Sequence, residues 1–463
     1  MRSGYVFLVS LAAMPLVGWP LLAHPKYRRL SGISRLTLSW AVGAVFLSFW
    51  MTAFAYTSLP WHLGLLLLLG VLTALLLRLF LKRDPPVERE QAGEPRWSAA
   101  EKLAILLATL AVALAFIAAA SGAATSVDLL MFWGPKAQAF AAARTVDTRV
   151  LSDPLLDYLH PSYPPLVTNL YALGTIAAGR LPWGAATLTF PLLLALLSLA
   201  LPGVLRRAAP RPMARACSAL IVSALGFCGS AFDVAGNGEP FLWLFESLAI
   251  AVLVGSDAVR LEGQLLAGFL LAGAATAKVE GLPFVAAAGA VFLTLRRKQI
   301  RLGSATALLF LPTVCSVGIW FAFGASRRIF YGYASYGRLF DVHWDRLPLV
   351  LSEIGSVLWS AGWALPYLLP LAALIAAPRK SRLLLLPVGV SAVLAAFFVF
   401  TYLHAGRDPW EWISWSAGRV FSPIAALLTI AGLCRRTAMG GGNPSSPDNS
   451  RTHGRKHADV VER

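Results

Sequence analysis

Charge is what this chain has least of: 14% of its 463 residues are charged, against 57% hydrophobic. No domain-sized stretch has the composition of a water-soluble fold. Acids are scarcer than bases, 23 against 40, which leaves a formal net charge of +17. The basic residues stand in short clusters beside apolar runs. That placement orients a membrane protein and argues against nucleic acid as a partner. Only four cysteines occur, Cys217, Cys228, Cys315 and Cys434, all in or at the ends of apolar segments. None has metal-ligand spacing, so they read as buried thiols and not as disulfides or a zinc site. Only Arg2 precedes the first apolar run, and no small-residue cleavage site follows it. It reads as a retained span, not a removed signal.

What is present is a succession of apolar runs, each roughly 16 to 24 residues long, matched to a bilayer's hydrocarbon thickness. They predict an all-α fold, a polytopic transmembrane bundle of about 13 spans, forming one integral domain over residues 1–434. The Gly/Ser/Pro-rich segment 435–463 lacks apolar periodicity and reads as a disordered cytoplasmic tail. Its His453 and His457 read as solvated, not as a metal pair.

Orientation follows from the basic clusters. Lys26, Arg28, Arg29 and Arg35 after the first span (about Tyr5–Ala23) belong inside, which puts the N-terminus outside. The polar segment Lys82–Lys102 is then a cytoplasmic loop, Leu103–Ala120 exits, and a loop over 124–181 lies on the outer face. Within it, Pro164–Gly179 is apolar enough to suggest a crossing. A crossing there would place Arg206, Arg207, Arg211 and Arg215 outside, against the charge rule. The segment is therefore expected to lie along the outer interface or to re-enter it, with Leu181–Leu205 as the next crossing.

With that topology the outer boundary collects both signs of charge, including Asp128, Lys136, Asp233, Glu239, Lys278, Glu280, Arg407 and Arg419, together with His160 and Tyr163. The inner boundary is mostly Arg and Lys. Taken singly, each of these is an ordinary helix-end anchor. As a set, and with Lys278 and Glu280 inside what should be apolar helix, they suggest a site at the lipid–water boundary. Moving a sugar from a lipid phosphate to a hydroxyl needs a carboxylate to take the acceptor proton, cations for the leaving phosphate, and an apolar groove. Asp128 suits the first task, and Lys278, Arg407 or Arg419 the second. Other readings stay open. Lys278 and Glu280 could pair with each other, His160 could be a turn residue, and Glu246 could pair with a neighbouring helix.

The residues Asp128, Trp133 and Lys136-Ala137, followed by His160-x-x-Tyr163-Pro164-Pro165-Leu166, resemble the first outer loop of GT-C membrane glycosyltransferases. Those include protein O-mannosyltransferases and lipid A aminoarabinose transferases. The likeness extends to Asp233-x-x-x-Asn237-Gly238-Glu239-Pro240, to Lys278-x-Glu280-Gly281, and to Trp415-x-x-x-Arg419-Val420-Phe421-x-Pro423. The resemblance implies Asp128 as catalytic base, Asp233 and Glu239 lining the site by acceptor or metal contact, and Lys278 and Arg419 facing the donor phosphate. His160, Tyr163, Glu280 and Arg407 are expected among the substrate contacts. It further implies a polyprenyl-phosphate-linked sugar as donor and a lipid, glycan or protein hydroxyl as acceptor. The setting would be a bacterial inner membrane, with the site on the periplasmic side. Leu129 stands where many relatives carry a second acid, so a divalent cation is not required. A transporter or flippase of lipid-linked intermediates is the reading from another class. It expects polar residues along both halves of the spans.

Overall fold

The structure, a computed structural model, describes residues 2–81, 98–122, 126–228, 234–329, 341–360, 385–404 and 408–437. Among the described residues every regular element is helical, and the only β pairing is an isolated bridge between Val342 and His404. Among the described residues eight helices are long and apolar enough to cross a membrane: Arg2–Leu22, Gly32–Tyr56, Leu63–Phe80, Glu101–Ala120, Trp183–Leu205, Leu302–Arg327, Leu385–Tyr402 and Pro409–Gly432. The chain is thus a helical multi-span membrane protein. The expected count of thirteen spans is not shown by the described residues. Three expected crossings are the shorter helices Glu239–Val254, Leu261–Ala277 and Gly281–Arg296. At about 1.5 Å per residue they rise about 24–26 Å, less than the ~30 Å of a hydrocarbon core.

In chain order the helices are α1 (Arg2–Ala12), α2 (Met14–Leu22), α3 (Gly32–Tyr56), α4 (Leu63–Phe80), α5 (Ala99–Ala120), α6 (Gly134–Ala143), α7 (Thr148–Ser152), α8 (Leu166–Ala178), α9 (Trp183–Thr187), α10 (Thr189–Leu205), α11 (Arg211–Cys228), α12 (Glu239–Val254), α13 (Leu261–Ala277), α14 (Gly281–Arg296), α15 (Leu302–Arg327), α16 (Leu347–Trp359), α17 (Leu385–Tyr402) and α18 (Pro409–Thr437). The start of α5 shows how local chemistry sets a boundary. Ser98 accepts from the Glu101 amide at 3.2 Å, and the Glu101 carboxylate accepts from the Ser98 amide at 2.9 Å. This reciprocal cap starts the helix four residues before the Leu103 expected from hydropathy. Most of the expected loop there, 82–97, and the tail from 438 lie outside the described residues.

Close helix contact comes from small residues, as it must where lipid offers no hydrophobic drive to association. Gly18 of α2 and Gly43 of α3 each present bare backbone to the other helix, and a Cβ on either would strike a main-chain carbonyl.

Ion pairs define one end of the bundle. Asp257, just past α12, meets Arg29 at 3.2 Å, Arg207 at 3.3 Å and Arg260 at 3.8 Å. Lys26 meets Glu262 at 3.7 Å, and Arg215 meets Glu101 at 3.8 Å. The charges after α2 and α10 and at the start of α5 and α11 therefore share that end. Helix α8 does not reach it. Asn169 donates to Ser48 and Thr52 in the last third of α3, Tyr171 bonds Thr189 at the head of α10, and Gly174 packs on Phe7 of α1. The cysteines divide: Cys217 is buried as expected, but Cys315 is exposed on α15.

Candidate functional site

The opposite end is organised by the segment before α6. Ser126 ties it down twice: its amide donates to Ala235 O at 3.2 Å, and its hydroxyl accepts from the Leu129 amide at 3.1 Å. A π-helical turn follows over Leu129–Trp133 and runs into α6. Wider turns of this kind displace side chains from the regular register. The turn at 234–238 docks on top. Gly236 has φ of +80° and lies directly against Leu129, so a side chain there would be strained and would collide.

That docking brings Asn237 to Asp128. Its amide nitrogen donates to Asp128 Oδ2 at 2.9 Å, while its own oxygen accepts from the Gly238 amide. Arg419, from α18, donates to the same Oδ2 at 2.8 Å. Asp128 Oδ1 has no partner among the described residues, and the side chain is 20% exposed. One oxygen is fixed and the other is open.

The network continues inward. Arg419 lies 3.6 Å from Glu239, the first residue of α12. Lys278, at the break between α13 and α14, reaches Glu239 at 2.9 Å and Glu280 at 3.3 Å. The Lys278–Glu239 pair is almost completely buried, with side-chain exposures of 6% and 2%. Gly238 makes room for the Lys278 stem and for the Trp133 ring. Three carboxylates (Asp128, Glu239, Glu280) thus face two cations (Lys278, Arg419). Lys278 and Glu280 do pair, and Glu239 completes a triad with them. Glu239 Oε2 and Glu280 Oε2 are buried without a hydrogen-bond partner. Glu246, two turns along α12, is 1% exposed, and neither carboxylate oxygen has a hydrogen-bond partner among the described residues, so the expected pairing with a neighbouring helix is not seen.

His160 and Tyr163 belong to an adjoining aromatic group. His160 closes the turn Pro154–Leu159 in a left-handed conformation (φ +49°), which an imidazole tolerates better than a branched side chain. Its ring stacks on Tyr163 at 4.7 Å and meets Phe132 edge-on at 4.9 Å. Lys136 sits within this group, its ammonium 5.0 Å from the Trp133 ring centre, 5.6 Å from Phe132 and 5.9 Å from Tyr163, and it donates to His160 O at 3.3 Å. Burial pushes the Lys136 ammonium down to about 7, and the ring faces pull the other way by stabilising the cation. Trp133 touches both groups and joins them.

The structure therefore brings Asp128, Glu239, Lys278, Glu280 and Arg419 into one network, with His160 and Tyr163 one aromatic layer away. Asp233 and Arg407 lie outside the described residues. Asn237, which the sequence offers only within the Asp233–Pro240 motif and with no role of its own, is the neutral member of the site. Lys136, expected at the outer boundary, is buried.

No family model, curated protein or solved structure matches this chain. The fold and the site together describe a helical multi-span membrane protein in which Asp128, Glu239 and Glu280 share one network with Lys278 and Arg419.

Proposed function

We propose that the chain is an inverting glycosyltransferase that moves a sugar from a polyprenyl-phosphate donor to a hydroxyl acceptor, with Asp128 as base. One observation carries this: Asp128 Oδ2 is clamped by Arg419 and Asn237 while Oδ1 stays open. A carboxylate held this way can accept a proton without reorienting. In the reaction the acceptor oxygen bonds to the anomeric carbon as its proton passes to Asp128 Oδ1. The bond from that carbon to the phosphate oxygen breaks, its electron pair leaves with the lipid phosphate, and the anomeric configuration inverts. The likeness of the 128–166 and 233–240 segments to GT-C enzymes supports the same reading. The arginine-rich end lies opposite Asp128, and the charge rule then favours an outward-facing Asp128, in keeping with a site on the periplasmic side of a bacterial inner membrane.

Lys278 and Arg419 are already matched by carboxylates, so a donor phosphate must take over contacts that Glu239 or Asp128 now make. The reading requires no divalent ion, because Arg419 and Lys278 can supply the positive charge that a leaving phosphate needs. A lipid-flipping transporter is the competing reading, and Glu246 favours it: an unpartnered carboxyl within a bundle is a familiar device of ion-coupled transport.

Reconstituted protein supplied with labelled polyprenyl-phosphate sugars and a panel of hydroxyl acceptors separates the two. The proposal expects a glycosylated product whose anomeric configuration is opposite to the donor's. Movement of labelled lipid between leaflets, with no transfer to any hydroxyl, would overturn it.

A further inference from the structure

A cavity of about 300 Å³ opens between the close of α3, the α6–α7 connection and the last turn of α15. Pro60 and Phe323 form part of its apolar wall, and Ser58, Thr145, Thr148 and Arg327 supply its polar lining. It lies at the Asp128 end, because Trp320, two turns below Arg327 on α15, donates from its ring nitrogen to Ser162 O at 3.3 Å.

Arg327 differs from the cations of the Asp128 network. Lys278 and Arg419 each face two carboxylates. Arg327 is exposed, and its one hydrogen bond among the described residues goes to the neutral Ser58 hydroxyl at 2.6 Å. A guanidinium has five N–H donors, and this contact uses one. At the C-terminus of α15 the helix dipole favours a cation but does not neutralise it as a carboxylate would. A positive planar fork in a cavity lined by hydroxyls and apolar side chains has the chemistry that takes a phosphate oxygen in two-point contact.

We propose that this cavity binds a phosphate-bearing headgroup, with Arg327 as the anchoring cation and the hydroxyls of Ser58, Thr145 and Thr148 as its neutral partners. Nothing in this depends on Asp128 acting as a base, so either idea can fail alone. The ligand's phosphate can come from a lipid headgroup or from a soluble anion, and the same contacts serve both.

The test titrates the purified full chain, in neutral detergent, with inorganic phosphate, with short-chain phosphatidate and with the matching diacylglycerol. Saturable binding of a phosphate-bearing ligand is expected, with no binding of diacylglycerol. Binding of phosphatidate but not inorganic phosphate identifies a lipid headgroup, whereas binding of inorganic phosphate by itself identifies a soluble source. Arg327→Gln should weaken binding about tenfold or more, as loss of a charged hydrogen bond implies. Ser58→Ala should weaken it less, and Arg328→Gln, one residue on and outside the lining, should leave it unchanged. Equal affinity of parent and Arg327→Gln overturns the site. So does phosphatidate binding no better than diacylglycerol when inorganic phosphate does not bind.

Discussion

Helix α12 carries a charged cluster at each end, and the two are built differently. At Glu239 the partners are Lys278, Glu280, Arg419 and Asp128, with Lys278 and Glu239 almost inaccessible. At Asp257 one carboxylate, 26% exposed, serves three arginines that water also reaches. The first arrangement is costly to form, because buried ions give up hydration and are stable only while fully matched. The second is cheap to form and screened by salt. A costly cluster kept where only helix ends need joining suggests chemistry. A cheap one, rich in arginine, suggests orientation in the membrane and little else.

The comparison can be broken at its strongest point first. Lys278→Met leaves Glu280 without its lysine and Glu239 with only Arg419 at 3.6 Å, and should cost about 3–5 kcal/mol, the range for one partner removed from a buried pair. Thermal unfolding in detergent, followed by size-exclusion chromatography, measures it. Adding Glu239→Gln to that variant should recover part of the loss. A Lys278→Met protein as stable as the parent would mean that water, not the lysine, satisfies these acids.

Asn237→Ala comes next. It leaves a buried donor and acceptor unmatched, for about 1–3 kcal/mol, and frees Asp128 Oδ2 from one of its two clamps. The same unfolding assay reads the first effect, and the pH dependence of transfer reads the second.

A gentler probe is Lys136, buried among rings. Its ordinary value is 10.5, and burial lowers it to about 7 in the folded chain. Between those values the unfolded chain holds the extra proton, so stability should climb as pH rises through that window. The penalty is fully present below about 7. Lys136→Met should remove the slope. An unchanged slope would assign it to another group.

The smallest effect is expected at the other end, where Asp257→Asn should cost about 1 kcal/mol or less and should matter less as salt is raised.

Much of this was legible in the sequence because membrane chemistry makes ionisable residues conspicuous. Asp128, Glu239, Lys278 and Arg419 stand out at the margins of apolar runs, and the arginine clusters announce one end of the bundle. The local Lys278–Glu280 pairing was legible, but the long-range pairings were not. Asp128 and Arg419 are 291 positions apart, and only the folded bundle shows that they share an oxygen. Helix length was only partly legible for a related reason. Hydropathy registers that α12, α13 and α14 are apolar, but not that breaks at Gly255 and Lys278 hold each to 16 or 17 residues. Lys136 was hidden by its neighbours, since an alanine-rich helix gives no hint that three rings close over one of its charges. The cavity beside Arg327 was equally invisible, being assembled from three segments far apart in the chain.

Asp128→Asn and Asp257→Asn, compared in one preparation for sugar transfer and for thermal unfolding, bear most directly on the claim that the two ends differ in kind. Asp128→Asn should lower turnover by about 10²–10⁴-fold, the usual range for a lost general base, with donor lipid still bound and the unfolding temperature little changed. Asp257→Asn should transfer at close to the parent rate. If the Asp128 variant transfers sugar as the parent does, or the Asp257 variant is the one that stops, the assignment of chemistry to the Asp128 end is wrong.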